Sequence, residues 1–193
     1  MDFMTSQTIE NLARAFAGEC QAYMRYLFYA EQAVKEKHNY ITNVFNQIAT
    51  NEKAHAKIFF NYIASHSGKP VDNVNINTGY PFKTGNTECN TLFSKKAEEE
   101  EHKVIYPTFA KIAKEEGFTD IEKAFTLTAA VEGGHAKIFE SLNARLADNT
   151  LYTSSFPTVW RCSVCGYTHS ADSPWNACPL CGYAQGYVEI NVN

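Results

Sequence analysis

Glu52-Lys53-Ala54-His55-Ala56-Lys57-Ile58-Phe59 returns almost unchanged as Glu132-Gly133-Gly134-His135-Ala136-Lys137-Ile138-Phe139, so the chain carries two copies of one Glu-x-x-His element. Residues three apart share a helix face, and each Glu and His can therefore converge on one metal ion. A lone pair of this kind is more often a solvated surface pair, because charged residues mostly stay outside. The surroundings of these two pairs favour the metal. Steps alternating between four and three residues trace one seam of a helix, and four segments keep that step. The first reads Ile9, Leu12, Phe16, Glu19, Tyr23, Tyr26, Ala30, Ala33, and the second Ile41, Phe45, Ile48, Glu52, His55, Phe59, Tyr62. The third reads Ser94, Glu98, Glu101, Ile105, Thr108, Ile112, and the fourth Ile121, Phe125, Thr128, Glu132, His135, Phe139, Leu142, Leu146. Acid or imidazole interrupts each seam near its middle.

Burying an unpaired carboxylate costs several kcal/mol even after relaxation. Glu19, Glu52, Glu98, Glu101 and Glu132 together would unfold a domain stable by about 5–15 kcal/mol. Two divalent ions would compensate that charge and take both imidazoles as neutral ligands.

The spacing predicts helices over about 6–37 and 40–66, with Lys37, His38 and Asn39 as the turn. From Ser67 to Thr87 the chain is rich in Gly, Asn, Thr and Pro, which excludes a continuous helix and leaves enough length to cross a bundle. A second hairpin follows: Gly117 ends one helix and Thr119-Asp120-Ile121-Glu122 offers a capping box for the next. Pro107 is expected to kink the third helix. Short connection, long crossover, short connection is the layout of ferritin-like four-helix bundles, where two helices give a Glu and two give Glu-x-x-His. The expected organisation is a bundle over 1–148, a linker over 149–156 and a small metal-bound β domain over 157–193.

The 193 residues have 45% hydrophobic content, enough for one substantial core, and a net charge of −4 with scattered lysines gives no basis for nucleic-acid binding. No apolar run reaches the roughly 20 residues that cross a bilayer, and no signal-peptide pattern opens the chain, so a cytoplasmic protein is expected.

In the last forty residues, Cys162-Ser163-Val164-Cys165-Gly166-Tyr167 and Cys178-Pro179-Leu180-Cys181-Gly182-Tyr183 form two matching Cys-x-x-Cys turns. So short a segment cannot bury an adequate core, and a metal must hold it. Four thiolates suit either zinc or a single iron, and spacing alone favours a structural zinc ribbon. Cys20 and Cys89 stand outside both turns as unpaired thiols.

Taken together, these residues resemble the rubrerythrins, whose ferritin-like di-iron bundle precedes a rubredoxin-like domain. The resemblance rests on Phe16-Ala17-Gly18-Glu19, both Glu-x-x-His elements, Glu98-x-x-Glu101 ahead of Tyr106-Pro107, and Trp160-Arg161-Cys162. It implies that Glu19, Glu52, His55, Glu98, Glu101, Glu132 and His135 are the catalytic di-iron ligands, with Glu52 and Glu132 bridging. Cys162, Cys165, Cys178 and Cys181 would hold the mononuclear iron. Tyr26 and Tyr106 would hydrogen-bond ligand carboxylates. Glu101 would serve the oxidised state and His55 the reduced one.

The same resemblance implies a non-haem di-iron peroxidase that reduces hydrogen peroxide to water in oxidative-stress defence. Electrons would pass through the rubredoxin-like iron. Family members are homodimers or larger, with the tail of one subunit near the bundle of another. No Gly-x-Gly-x-x-Gly fingerprint is present, so electrons from NAD(P)H are expected through a separate reductase or rubredoxin. The alternatives are a ferroxidase or iron-storage protein, against which the cysteine tail argues, and a non-enzymatic zinc-ribbon protein. His38, His102 and His169 read as surface residues. Gly133-Gly134 inside the fourth helix is expected to reflect close packing or peroxide access, and alanine at both is expected to stabilise.

Overall fold

The computed structural model describes residues 2–190, so Met1 and 191–193 of the expected spans lie outside it. Ser6 starts the first helix: its hydroxyl accepts from the Ile9 amide at 3.2 Å, satisfying one of the free N–H groups of α1, Gln7–Lys35. Lys37, at φ 64°, turns the chain into α2, Asn39–His66. Residues 67–86 cross the bundle as an irregular strap held to α1 by side chains. Tyr80 donates to the Arg14 carbonyl at 2.9 Å, and Gln21 to that of Pro81 at 2.7 Å.

The third rod has three parts: α3, Thr87–Glu100; a π-helical turn, Glu101–Ile105; and α4, Tyr106–Glu116. Where a kink is expected at Pro107, the chain makes this turn just before Tyr106-Pro107. In a regular α-helix the proline ring would meet the carbonyl of residue 103, and proline has no N–H to give it. Widening the preceding turn relieves both problems. The extra residue also shifts the seam. Beyond the turn the buried positions are Tyr106, Ala110 and Ala113, whereas Thr108 is exposed and Ile105 and Ile112 are only half-buried.

Gly117, at φ 92°, ends α4, and α5 follows as Thr119–Ala147. The expected capping box does not form, because Thr119 is already helical and Phe118 is the capping residue. The Phe118 ring packs against Phe3 and His66, which sets where α5 begins.

Two carboxylates tie the hairpins to each other. Glu36, just past α1, accepts the Thr87 amide of α3 at 2.9 Å, and Glu116, ending α4, accepts the Gln7 and Thr8 amides of α1 at 2.9 and 2.8 Å. Each places negative charge on a helix N-terminus. Burial works against the Glu116 carboxylate, but the Thr8 hydroxyl and the two amides outweigh it and hold the pKa below the usual range. A depressed folded-state pKa contributes stability above the unfolded pKa and loses it as pH falls through the folded value. Glu116→Gln is expected to cost about 0.5–1 kcal/mol at pH 7 after allowing for solvent screening. The gap from wild type should close below about pH 4, as read by urea unfolding across that range.

The core falls into two apolar clusters. One gathers Tyr26, Tyr29, Phe45, Phe139 and Leu142; the other gathers Leu12, Phe59, Tyr106, Ile121 and Phe125. Burial of each such side chain is worth about 1.5–3 kcal/mol. Glu19, Glu52, Glu98 and Glu132 lie between these clusters.

The tail pairs β1, Thr158–Arg161, with β2, Thr168–Ala171, antiparallel. Trp160 is buried and its indole N–H donates to the Ala171 carbonyl at 2.9 Å. The tail rests on the α1–α2 turn, where Gly186 lies so close to the Lys37 carbonyl that any Cβ would overlap it. No described helix is long and apolar enough to cross a membrane.

Candidate metal centres

Glu19, Glu52, Glu98 and Glu132 are at most 1% exposed, and His55 and His135 at most 7%. They form two interlocking clusters: Glu19, Glu52, His55 and Glu132 in one, Glu52, Glu98, Glu132 and His135 in the other. Glu52 and Glu132 belong to both. The His55 Nδ1 lies 2.9 Å from Glu132 Oε1, 3.0 Å from Glu52 Oε2 and 3.7 Å from Glu19 Oε2. The His135 Nδ1 lies 2.8 Å from Glu132 Oε2, 3.2 Å from Glu52 Oε1 and 3.5 Å from Glu98 Oε2. Each shared carboxylate thus offers one oxygen to each half.

The outer carboxylates are held crosswise. The Tyr26 hydroxyl of α1 donates to Glu98 of α3, and the Tyr106 hydroxyl of α4 donates to Glu19 of α1. Glu19 precedes Tyr26 by seven residues, whereas Glu98 precedes Tyr106 by eight. The π-turn absorbs the additional residue, so both bonds form in matching places.

These residues fit cations. Glu52 Oε1, Glu98 Oε2, both Glu132 oxygens and the His135 Nδ1 are buried and, for all their closeness to one another, are not aligned for hydrogen bonds among the described residues. Burial alone would lower the imidazole pKa values, but Glu132 and its fellow carboxylates push His55 and His135 up to about 12. Burial raises Glu98 to about 8, while the two imidazoles overcome burial at Glu52 and bring it down to about 2. The protein alone thus balances its carboxylates with protons. Burial also holds the Glu19 pKa well above the usual range. Metal binding needs neutral imidazole and ionised carboxylate, so loading at pH 7 is expected to expel protons from both imidazoles and from Glu19 and Glu98. Calorimetry in buffers of unequal ionisation enthalpy measures their number, and a value near zero would contradict it.

Glu101 stands apart from both clusters. It is half-buried on the wall of a cavity of about 400 Å³, with Arg14, Arg25, Tyr80 and Tyr106. Burial and the neighbouring carboxylates raise its pKa well above the usual range.

Three partners were not foreseen from sequence. Asn51 places its amide 3.1 Å from the His135 Nε2, and the buried Arg25 spreads over the Tyr26 ring at 5.2 Å. His102, expected at the surface, is half-buried, and its Nδ1 lies 2.6 Å from the Ala129 carbonyl. Its ring covers Gly133, where a Cβ would come within 2.8 Å of two ring atoms, while Gly134 faces open space. Close packing therefore explains Gly133, where alanine would displace the His102 ring, and the expected stabilisation is confined to Gly134.

In the tail the Sγ atoms of Cys162 and Cys181, and of Cys165 and Cys178, are 3.7 Å apart. Metal–sulfur bonds of about 2.3 Å in a tetrahedron give edges of about 3.8 Å, whereas a disulfide needs about 2.05 Å. Gly166 and Gly182, both at φ 76°, make the two turns superposable in kind, and each donates to the carbonyl of the first cysteine at 2.9 Å. Burial opposes ionisation of Cys178, yet the Cys181 and Leu180 amides bring it down to about 7.

The family model described as Rubrerythrin matches residues 10–143, and that described as Rubrerythrin, rubredoxin-like domain, matches residues 160–189. Rubrerythrin-1 of Clostridium acetobutylicum is 40% identical over 186 residues, covering 96% of this chain and 94% of that protein. Rubrerythrin of Nitratidesulfovibrio vulgaris is 31% identical over 186 residues, again covering 96% and 94%. Among solved structures, partially reduced nigerythrin superposes with a TM-score of 0.62 at 23% identity, covering 96% of this chain and 90% of that one. The bacterioferritin of Desulfovibrio desulfuricans gives 0.63 at 20%, covering 75% and 82%. At those identities the two structures share the fold.

Proposed function

We propose, because the chain belongs to the rubrerythrin family, that it is a non-haem di-iron peroxidase whose four-cysteine tail relays electrons to the bundle. The observation that carries this reading is the pair of clusters sharing Glu52 and Glu132 in a chain that also holds four convergent thiols. Iron bound in the bundle supplies the two electrons consumed when hydrogen peroxide takes up two protons and becomes two waters.

The chain's own residues set the conditions for that chemistry. Glu52 and Glu132 span both positions, and Glu19 with His55, and Glu98 with His135, complete them. Tyr26 and Tyr106 fix the outer carboxylates and prevent their rotation. Glu101, on the wall of the cavity, offers a further anion to the oxidised state, while His55 serves the reduced one. The two apolar clusters above and below keep bulk water from the carboxylates.

Electrons reach the tail from a separate reductase or rubredoxin and ultimately from NAD(P)H. They cross to the bundle of a second copy of the chain. The tail's own position supports the second copy, because α2 runs roughly 24 Å from Asn39, beside the tail, to His55 at about 1.5 Å per residue.

Stopped-flow mixing of anaerobically reduced, iron-loaded protein with hydrogen peroxide tests the reading. The expected record is fast oxidation of the bundle's iron, followed by reappearance of red ferric-thiolate absorbance as the tail re-reduces it. Oxidation by dioxygen but not by peroxide would transfer the assignment to a ferroxidase.

A further inference from the structure

The π-turn is a costly local structure in a position of consequence, since it begins at Glu101 and ends immediately before Tyr106. A five-residue π segment with unfavourable packing persists only where neighbours hold it. Pro107 explains why an α-helix is disfavoured there, but not what fixes the turn against α5. The contact that does so is His102, the second residue of the turn. Its Nδ1–H donates at 2.6 Å to the carbonyl of Ala129, and the imidazole lies flat enough on Gly133 to exclude any Cβ.

The other half of the site makes a useful control. In the repeated element Lys53 occupies the position of Gly133, and α1 runs through Glu19 to Tyr26 as an unbroken helix. The residue three past Glu19 is the buried Ala22, where the third rod has Glu101. Glycine seat, histidine pin, added residue and fifth carboxylate thus occur together in one half and are all missing from the other.

We infer that His102, seated on Gly133, pins the π-turn to α5 and thereby sets the reach of Glu101 toward the carboxylate cluster. His102 is a positioning residue: it touches neither substrate nor metal and acts through the backbone of its neighbour. The inference rests on the assignment of Glu101 proposed above as an anion for the oxidised state.

Redox titration of the bundle's iron in His102→Ala, Glu101→Gln and the double variant tests it, with thermal unfolding of each metal-free protein alongside. Loss of the Glu101 anion disfavours the oxidised form, so both single variants are expected to raise the midpoint potential. A tenfold change in preference, the lower end for groups that orient ligands, is about 59 mV for a one-electron couple. The double variant should match Glu101→Gln, because an effect carried instead by Tyr106, which follows the same turn, or by Glu132, which adjoins Gly133, would persist once the Glu101 carboxylate is gone. A wild-type potential in His102→Ala, with only a lower melting temperature, would reduce the histidine to packing and overturn the inference. So would a double variant whose shift equals the sum of the singles. If the alanine variant does not fold, His102→Phe keeps a ring on Gly133 and removes only the bond to Ala129, and the same comparison applies. Failure of the peroxidase reading shows separately, as reduced protein that peroxide does not oxidise, and leaves the potentials measurable.

Discussion

Glu132→Ala is expected to empty both bundle positions at once. Its two oxygens lie 2.9 Å from the His55 Nδ1 and 2.8 Å from the His135 Nδ1, so one truncation removes a carboxylate from each half. Glu19→Ala, by contrast, touches one cluster only. Loss of groups that merely orient ligands weakens metal binding about 10–100-fold, and loss of a shared ligand should exceed the upper figure at both positions. Metal analysis of the purified proteins should find iron only in the tail of Glu132→Ala, and one bundle iron retained in Glu19→Ala. Thermal stability offers an independent reading. Iron at a thousandfold excess over its Kd stabilises the folded protein by about 4 kcal/mol, and that increment should vanish in Glu132→Ala. Two bundle irons retained in this variant would refute the shared role.

Cys162→Ser should separate oxidation from turnover. The Cys162 Sγ is buried and stands 3.7 Å from that of Cys181, so the substitution removes one corner of the thiolate tetrahedron. The tail has little core of its own beyond Trp160 and Val188, since Ile190 packs into the bundle's cluster, and without its metal it should lose its fold. The first oxidation by peroxide should stay fast, because the bundle is untouched, while steady-state turnover with a reductase should fall on the order of 100-fold or more. Mixing Cys162→Ser with Glu132→Ala subunits then asks whether the tail works across chains. Each lacks what the other keeps, and turnover recovered after subunit exchange would place the relay between copies. No recovery, with exchange demonstrated, would confine it to one chain.

The seams were legible because burial and spacing coincide. Ile41, Phe45, Ile48, Glu52, His55 and Phe59 are all buried, as the four-and-three step requires, and the fourth seam behaves alike from Ile121 to Leu142. The third rod was misread beyond Glu101 because a helical step assumes an unbroken helix. Its correction lay in the sequence all the same, as seven residues from Glu19 to Tyr26 against eight from Glu98 to Tyr106. His102 was not legible by pattern: nothing in a single histidine reports the carbonyl it meets on another helix. Nor were Glu36 and Glu116, whose partners are backbone amides far along the chain. The capping-box residues gave a false start at Thr119, since the packing of Phe118 against Phe3 and His66 outweighs a cap worth about 1 kcal/mol.

Glu36 and Glu116 also bear on how the bundle comes apart. Each closes a helix end of the opposite hairpin, so peeling one hairpin away would expose free amides at both ends of the molecule together. Slow-exchanging amide protons in the two hairpins should therefore share one opening free energy rather than two. The ions between them could then escape only as fast as the whole molecule opens, and iron loss under chelation would be a clock for global unfolding.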